Sequence, residues 1–412
     1  MKTYNYLIVS LLTLFLISCS TTNSESESNE VVEAKAKLVE ADATFSIEMF
    51  KKAVALEKEA ENVFISPLSI SVALGMAMNG ANGSTHEEMV EVLGFGELNQ
   101  NEINIGYESL IKDLNTADEK VQMEIANSIW SKQGFPVKED FYSTLEDYFD
   151  AEAQELDFDD PASVDVINGW VSDKTHEKIP TIIERIGSDV VMYLINAVYF
   201  KASWLYSFDA EQTQQQNFYK DDGSSVLVEM MNQKNNVPYY ISDEVEVLEL
   251  PYGDGQFSMT FVKHVGDVPI DEFIETTLTT QNLEKWLGAL ETDSVKFFLP
   301  KLEMEYFSSL KDHLVQMGMP TAFSSNADFS NITPGGGILI SDVLHKTYVK
   351  MDEEGTEAAG VTAIGFETTS VDPDPEPIII LNRSYVMILR EKETGALLFM
   401  GKIGQPVFEI TD

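Results

Sequence analysis

The chain has a single cysteine, Cys19, so no disulfide can form within it. Basic residues are also scarce: 27 Lys and Arg stand against 69 Asp and Glu, a formal net charge of −42 spread over the whole length. Gripping phosphates takes clustered Lys and Arg, so nucleic acid is excluded as a partner, together with heparin-like polyanions and anionic lipid surfaces. The excess reads as a solubilising acidic surface. The five histidines, His86, His176, His264, His313 and His345, are dispersed without metal-ligand spacing. His86-Glu87-Glu88-Met89-Val90 lacks the second histidine of a zinc-protease helix. There is no nucleophile elbow and no phosphate-binding glycine loop. Asp372 and Asp374 alternate with prolines and lack the glycine and closing glutamate of a calcium loop. These absences predict no metal, no cofactor and no enzyme.

Near the start, Lys2 precedes an apolar run from Leu7 to Ile17, too short to cross a membrane but long enough for a signal peptide. It ends in Leu16-Ile17-Ser18-Cys19, the arrangement of a bacterial lipobox, in which the thiol is acylated and the chain is cut before the cysteine. The reading is a signal peptide over 1–18, then acylated Cys19 and a flexible acidic tether over 19–40, then one globular domain over 41–412. A bacterial envelope lipoprotein follows, on the periplasmic or the surface face. The alternative is a plain secretory signal and a secreted protein.

Beyond the tether, helical and strand signals alternate without a repeat. Phe45, Met49, Phe50 and Val54 fit a helix over Thr44–Lys58, and Leu68–Met78 reads as an apolar helix after Pro67. Thr85 and Glu88 have capping-box spacing, and Gly94 suits a helix end. Strand-like runs span 125–131, 191–201, 245–250, 257–262 and 295–299, with three more at 378–381, 385–389 and 397–400. Irregular interleaving favours an α+β domain over a doubly wound sheet.

The most informative stretch is Asp352 to Ser370. Glu353 and Glu354 precede small residues: Gly355, Thr356, Ala358, Ala359, Gly360, Ala363 and Gly365. One strand parity, Thr356, Ala358, Gly360, Thr362, Ile364, Phe366, suits a core; the other carries Glu357 and Glu367 at its ends. Such a segment can be an exposed loop or a buried strand. A plain surface loop is the competing reading. The alternating prolines Pro373, Pro375 and Pro377 stop any strand from continuing.

Many segments, in order and spacing, resemble the serpin family across residues 41–412. They include Asn62-Val63-Phe64-Ile65-Ser66-Pro67-Leu68-Ser69-Ile70, Leu194 to Lys201 with Trp204, and Leu250-Pro251-Tyr252. Further matches are Leu299-Pro300-Lys301-Leu302-Glu303, Ala327-Asp328-Phe329-Ser330, His345-Lys346, Gly355 to Gly360 and Phe399-Met400-Gly401-Lys402. The resemblance implies a large mixed central sheet, additional sheets, about eight or nine helices and an exposed reactive loop over about 353–377. It also implies a suicide-substrate mechanism: a serine protease, or some cysteine proteases, cuts the loop, and the cut loop enters the sheet before the acyl-enzyme hydrolyses. The product is a covalent 1:1 complex of a monomeric inhibitor.

On that resemblance the hinge is Glu353, Glu354, Gly355, Thr356, Glu357, Ala358, Ala359 and Gly360, small enough for fast insertion. Counting from Glu353 puts the reactive bond at Thr369-Ser370, with Thr368 and Glu367 as neighbouring choices. No Lys or Arg lies between Gly355 and Asn382, which excludes trypsin-like targets and favours elastase-like or subtilisin-like ones. Ser66, Ser69, Asn196 and His345 match a polar cluster beneath the sheet, and Trp204 the place where the loop joins it. Tyr385 departs from the family's phenylalanine and brings a hydroxyl that needs a partner. The remaining alternative is a non-inhibitory serpin-fold binding protein.

Overall fold

The computed structural model of the protein describes residues 28–356 and 376–408. Nine α-helices and two large sheets interleave among those residues. None of the helices is long and apolar enough to cross a membrane. The first, Asn29–Leu56, starts where Ser28 accepts a hydrogen bond from the Val31 amide. Its buried positions Ala34, Leu38, Asp42, Phe45, Met49 and Ala53 recur every three or four residues, one face of a helix. This corrects the tether over 19–40, because residues 29–40 are helical. Alanine, lysine and glutamate are good helix formers, and Lys35 pairs with Asp113 on the helix Gln100–Thr116.

The helix Pro67–Gly80 follows from Pro67 at its first turn and the Ser66 hydroxyl, which accepts from the Ser69 amide. It lies between the sheets, touching the strands Met192–Ser203 and Leu397–Ile403. Gly94 ends the helix Gly83–Leu93 at φ +75°. The Thr85–Glu88 capping box does not form. Asn82 caps that helix, Thr85 Oγ1 accepts from the Asp328 amide, and Glu88 accepts from the Thr321 amide and hydroxyl. Both side chains are drawn to a neighbouring segment instead.

The larger sheet has nine strands and takes in all the C-terminal runs. Leu397–Ile403 sits between Asn62–Ile65 and Tyr385–Glu391, with every one of its residues buried. The smaller sheet orders its six strands as Leu302–Ser309, Leu344–Met351, Gly355–Thr356, Met192–Ser203, Val121–Lys132 and Ala151–Leu156. Val121–Lys132 pairs in parallel with Ala151–Leu156 and antiparallel with Met192–Ser203, so the sheet is mixed. Along Leu344–Met351 the residues His345, Thr347, Val349 and Met351 are buried and their neighbours half-buried, the period of two expected of a strand.

Candidate functional site

Between Met192–Ser203 and Leu344–Met351 stands the two-residue strand Gly355–Thr356. Met351 faces Thr356 on one side; Ser203 faces Gly355 and Ala202 faces Thr356 on the other. Among the described residues no ladder joins the two flanking strands directly. A short turn brings the chain round: the Asp352 amide donates to the Gly355 carbonyl, and Asp352 Oδ1 accepts from the Glu354 amide, both at 3.0 Å.

Each residue of that turn is held from outside. Trp204 Nε1 donates to the Asp352 carbonyl at 3.0 Å, the Trp204 amide to Glu354 at 2.9 Å, and the Phe208 amide to Glu353 at 2.8 Å. The indole stacks on Tyr252 at 4.3 Å between ring centres, and the Tyr252 hydroxyl meets Thr356 Oγ1 at 2.6 Å. The Glu353 carboxylate is almost fully buried; it accepts from the Thr213 hydroxyl at 2.6 Å and pairs with Lys301 Nζ at 2.8 Å. Burial pushes that carboxyl up, but the hydrogen bonds from Lys301 and Thr213, with the charge of Lys301, outweigh it and hold the group below the usual carboxylate range. Glu353, Glu354, Gly355, Thr356 and Trp204 are therefore brought together. Thr213 and Phe208 carry no signal in the sequence; Lys301 and Tyr252 lie inside the family-like segments Leu299-Pro300-Lys301-Leu302-Glu303 and Leu250-Pro251-Tyr252.

Of the polar cluster, Ser66 and Ser69 join His345: the Ser66 amide donates to His345 Nε2 at 3.0 Å, and the Ser66 hydroxyl donates to the Leu398 carbonyl at 2.7 Å. As an acceptor in the core, His345 is neutral, and burial depresses its pKa to about 3. Asn196 has no hydrogen bond to these residues among the described ones; it donates to Asn127 Oδ1 at 2.8 Å while Asn127 donates to the Phe149 carbonyl at 2.7 Å. Register sets the outcome, because Asn196 lies directly opposite Asn127. Its Oδ1 is buried without a hydrogen-bond partner among the described residues. The Tyr385 hydroxyl, expected to find a partner, also has none there and is fully buried.

Glu357, Ala358, Ala359, Gly360, the reactive-bond residues Glu367, Thr368, Thr369 and Ser370, and Cys19 lie outside the described residues. Among the described residues no group of three or more His, Cys, Asp or Glu is arranged to hold a metal ion.

Residues 40–406 match the family described as serpin (serine protease inhibitor). The chain belongs to the serpin family. An uncharacterized serpin-like protein of Thermococcus kodakarensis is 33% identical over 376 residues, covering 90% of this chain and 86% of the relative. The thermophilic serpin tengpin, solved in its native state, superposes with a TM-score of 0.81 at 32% identity, covering 93% of this chain and 96% of its own. Human thyroxine-binding globulin superposes at 0.82 with 29% identity, covering 91% of this chain and 100% of its own. The serpin fold expected from the sequence is therefore present, with its mixed sheet and, among the described residues, nine helices. Serpins are in general protease inhibitors rather than enzymes.

Proposed function

We propose that this serpin is an irreversible suicide-substrate inhibitor of serine proteases, with elastase-like or subtilisin-like enzymes favoured. One observation carries the reading: Gly355 and Thr356, the first small residues of the hinge, occupy a strand position between Met192–Ser203 and Leu344–Met351. Residues that follow them can lengthen that strand once the loop is cut. The protease serine oxygen attacks the Thr369 carbonyl, the bond to Ser370 breaks, and the Ser370 amine leaves with a proton. Thr369 then carries the protease as an ester. Growth of the strand below Thr356 drags the ester away from the intact active-site geometry before water reaches it. Some cysteine proteases would be trapped through the corresponding thioester, in each case as a covalent 1:1 complex with a monomer.

The absence of Lys and Arg from Gly355 to Asn382 supports the specificity. The lipobox-like Leu16-Ile17-Ser18-Cys19 supports a bacterial envelope protein held by a lipid on Cys19. A second reading, a non-inhibitory binding protein, is favoured by the likeness to human thyroxine-binding globulin.

Thermal unfolding before and after loop cleavage separates the two. The inhibitor reading expects the cleaved protein to melt well above the intact one, since a strand has been added to the sheet. An unchanged midpoint favours the binding protein.

A further inference from the structure

We infer that Phe408, close to the C-terminus, is a positioning residue for the hinge, holding Lys301 against Glu353. The ring lies 4.5 Å from Lys301 Nζ and 5.5 Å from Lys350 Nζ, measured to its centre. Lys301 immediately precedes the strand Leu302–Ser309, and Lys350 is the penultimate residue of Leu344–Met351, its antiparallel neighbour. Each ammonium has a carboxylate as well: Glu353 for Lys301 at 2.8 Å, and Glu303 for Lys350 at 3.6 Å. Two lysines, one just ahead of a strand and one within its neighbour, therefore share one aromatic ring.

Backbone geometry fixes the ring there. The Glu303 amide donates to the Val407 carbonyl at 2.6 Å, which ties the C-terminal segment to the start of the edge strand Leu302–Ser309. The Lys301 and Glu353 side chains are only 18% and 11% exposed, so bulk water screens the pair weakly. An ammonium over a ring face is attracted by its quadrupole, most strongly where both are partly desolvated. Phe408 thus restricts the Lys301 rotamers to those that reach Glu353. Glu353 in turn holds the turn that places Gly355 and Thr356. A residue 55 positions from the hinge acts on it through one lysine.

The inference rests on the hinge reading above, yet its test needs no protease. Failure of inhibition and failure of this contact are therefore separate results. Hydrogen exchange of the Trp204 and Phe208 amides, which donate to Glu354 and Glu353, reports opening of the turn. In the full-length chain, Phe408→Ala and Phe408→Leu should speed that exchange about fivefold, whereas Phe408→Trp should leave it near wild type. The leucine variant keeps apolar bulk, so a folding defect in the alanine variant does not remove the test. Amides of the distant strand Phe257–His264 should not change. In a Glu353→Gln background, Phe408→Ala should add nothing. Unchanged exchange in Phe408→Leu, or the same fold-change with and without Glu353, would overturn the inference.

Discussion

A Cβ on Gly355 would lie 2.1 Å from the carbonyl oxygen of Ala202 and 2.7 Å from the Cα of Ser203, at a backbone φ of +155°. Only glycine fits there, because the obstacle is main chain on the neighbouring strand and cannot swing aside. Gly355→Ala should therefore cost the inserted position about 1–3 kcal/mol. Because Gly355 already stands beside Ala202 in the uncut protein, the expected outcome is a lower melting temperature of the intact inhibitor. Thermal unfolding of the uncut variant checks this. An unaltered midpoint would show that the neighbouring strand shifts to admit the methyl group.

Thr356 is buried, with its hydroxyl 2.6 Å from that of Tyr252. Thr356→Arg places a guanidinium in a site with no carboxylate hydrogen-bonded to it, a cost of several kcal/mol unless the hinge stays outside the sheet. The variant should be cleaved without forming complex. Thr356→Val, which loses only the hydrogen bond, should cost about 1 kcal/mol and retain inhibition. Denaturing gels of each variant with the same protease distinguish the two.

The Tyr385 hydroxyl is buried without a partner, and its ring packs edge-on to Phe261 at 5.9 Å and Phe218 at 6.5 Å. Tyr385→Phe removes a desolvated polar group and keeps the packing. Stability should rise by about 1 kcal/mol, read as a shift in the denaturant midpoint. A fall of similar size would mean that the hydroxyl is hydrogen-bonded in solution.

Two buried groups give opposite pH dependences. Burial lowers His345 from 6.5 to about 3, so its contribution is present above pH 6.5 and is lost as pH falls toward 3. Burial raises Asp42 from 3.8 to about 7, against a hydrogen bond from Ser71, so its contribution is present below pH 3.8 and is lost as pH rises through 7. Between about pH 4 and pH 6.5 each changes stability by up to about 1.4 kcal/mol per unit, with opposite signs. Asp42→Asn removes one side of that balance. Its melting temperature should fall more steeply on acidification than that of the wild type. Parallel curves would contradict the assignment.

Much of this architecture was legible from local pattern. Apolar runs marked Tyr385–Glu391 and Leu397–Ile403, and Gly94 marked a helix end; the strand Leu344–Met351 was not marked, although its buried residues alternate. Small residues beside Glu353 and Glu354 marked that stretch, and Gly355 and Thr356 do form a short strand there. What escaped was set by pairing between distant segments. Asn196 donates to Asn127 because register puts the two opposite each other, and no local signal encodes that register. Thr85 and Glu88 had the right spacing for a cap, yet Asp328 and Thr321, distant in sequence, claimed them. The helix at Asn29 was missed because its polar face resembles a tether; Ala34, Leu38 and Asp42 carried the stripe upstream.

The measurement that tests the central claim most directly is incubation with elastase, subtilisin, chymotrypsin, trypsin and a Glu-specific protease. Denaturing gels and the mass of the released C-terminal peptide are the readout. The account predicts a complex that survives denaturation with an elastase-like or subtilisin-like enzyme, and a peptide beginning at Ser370. Clean cleavage by every protease, with no complex, would contradict it.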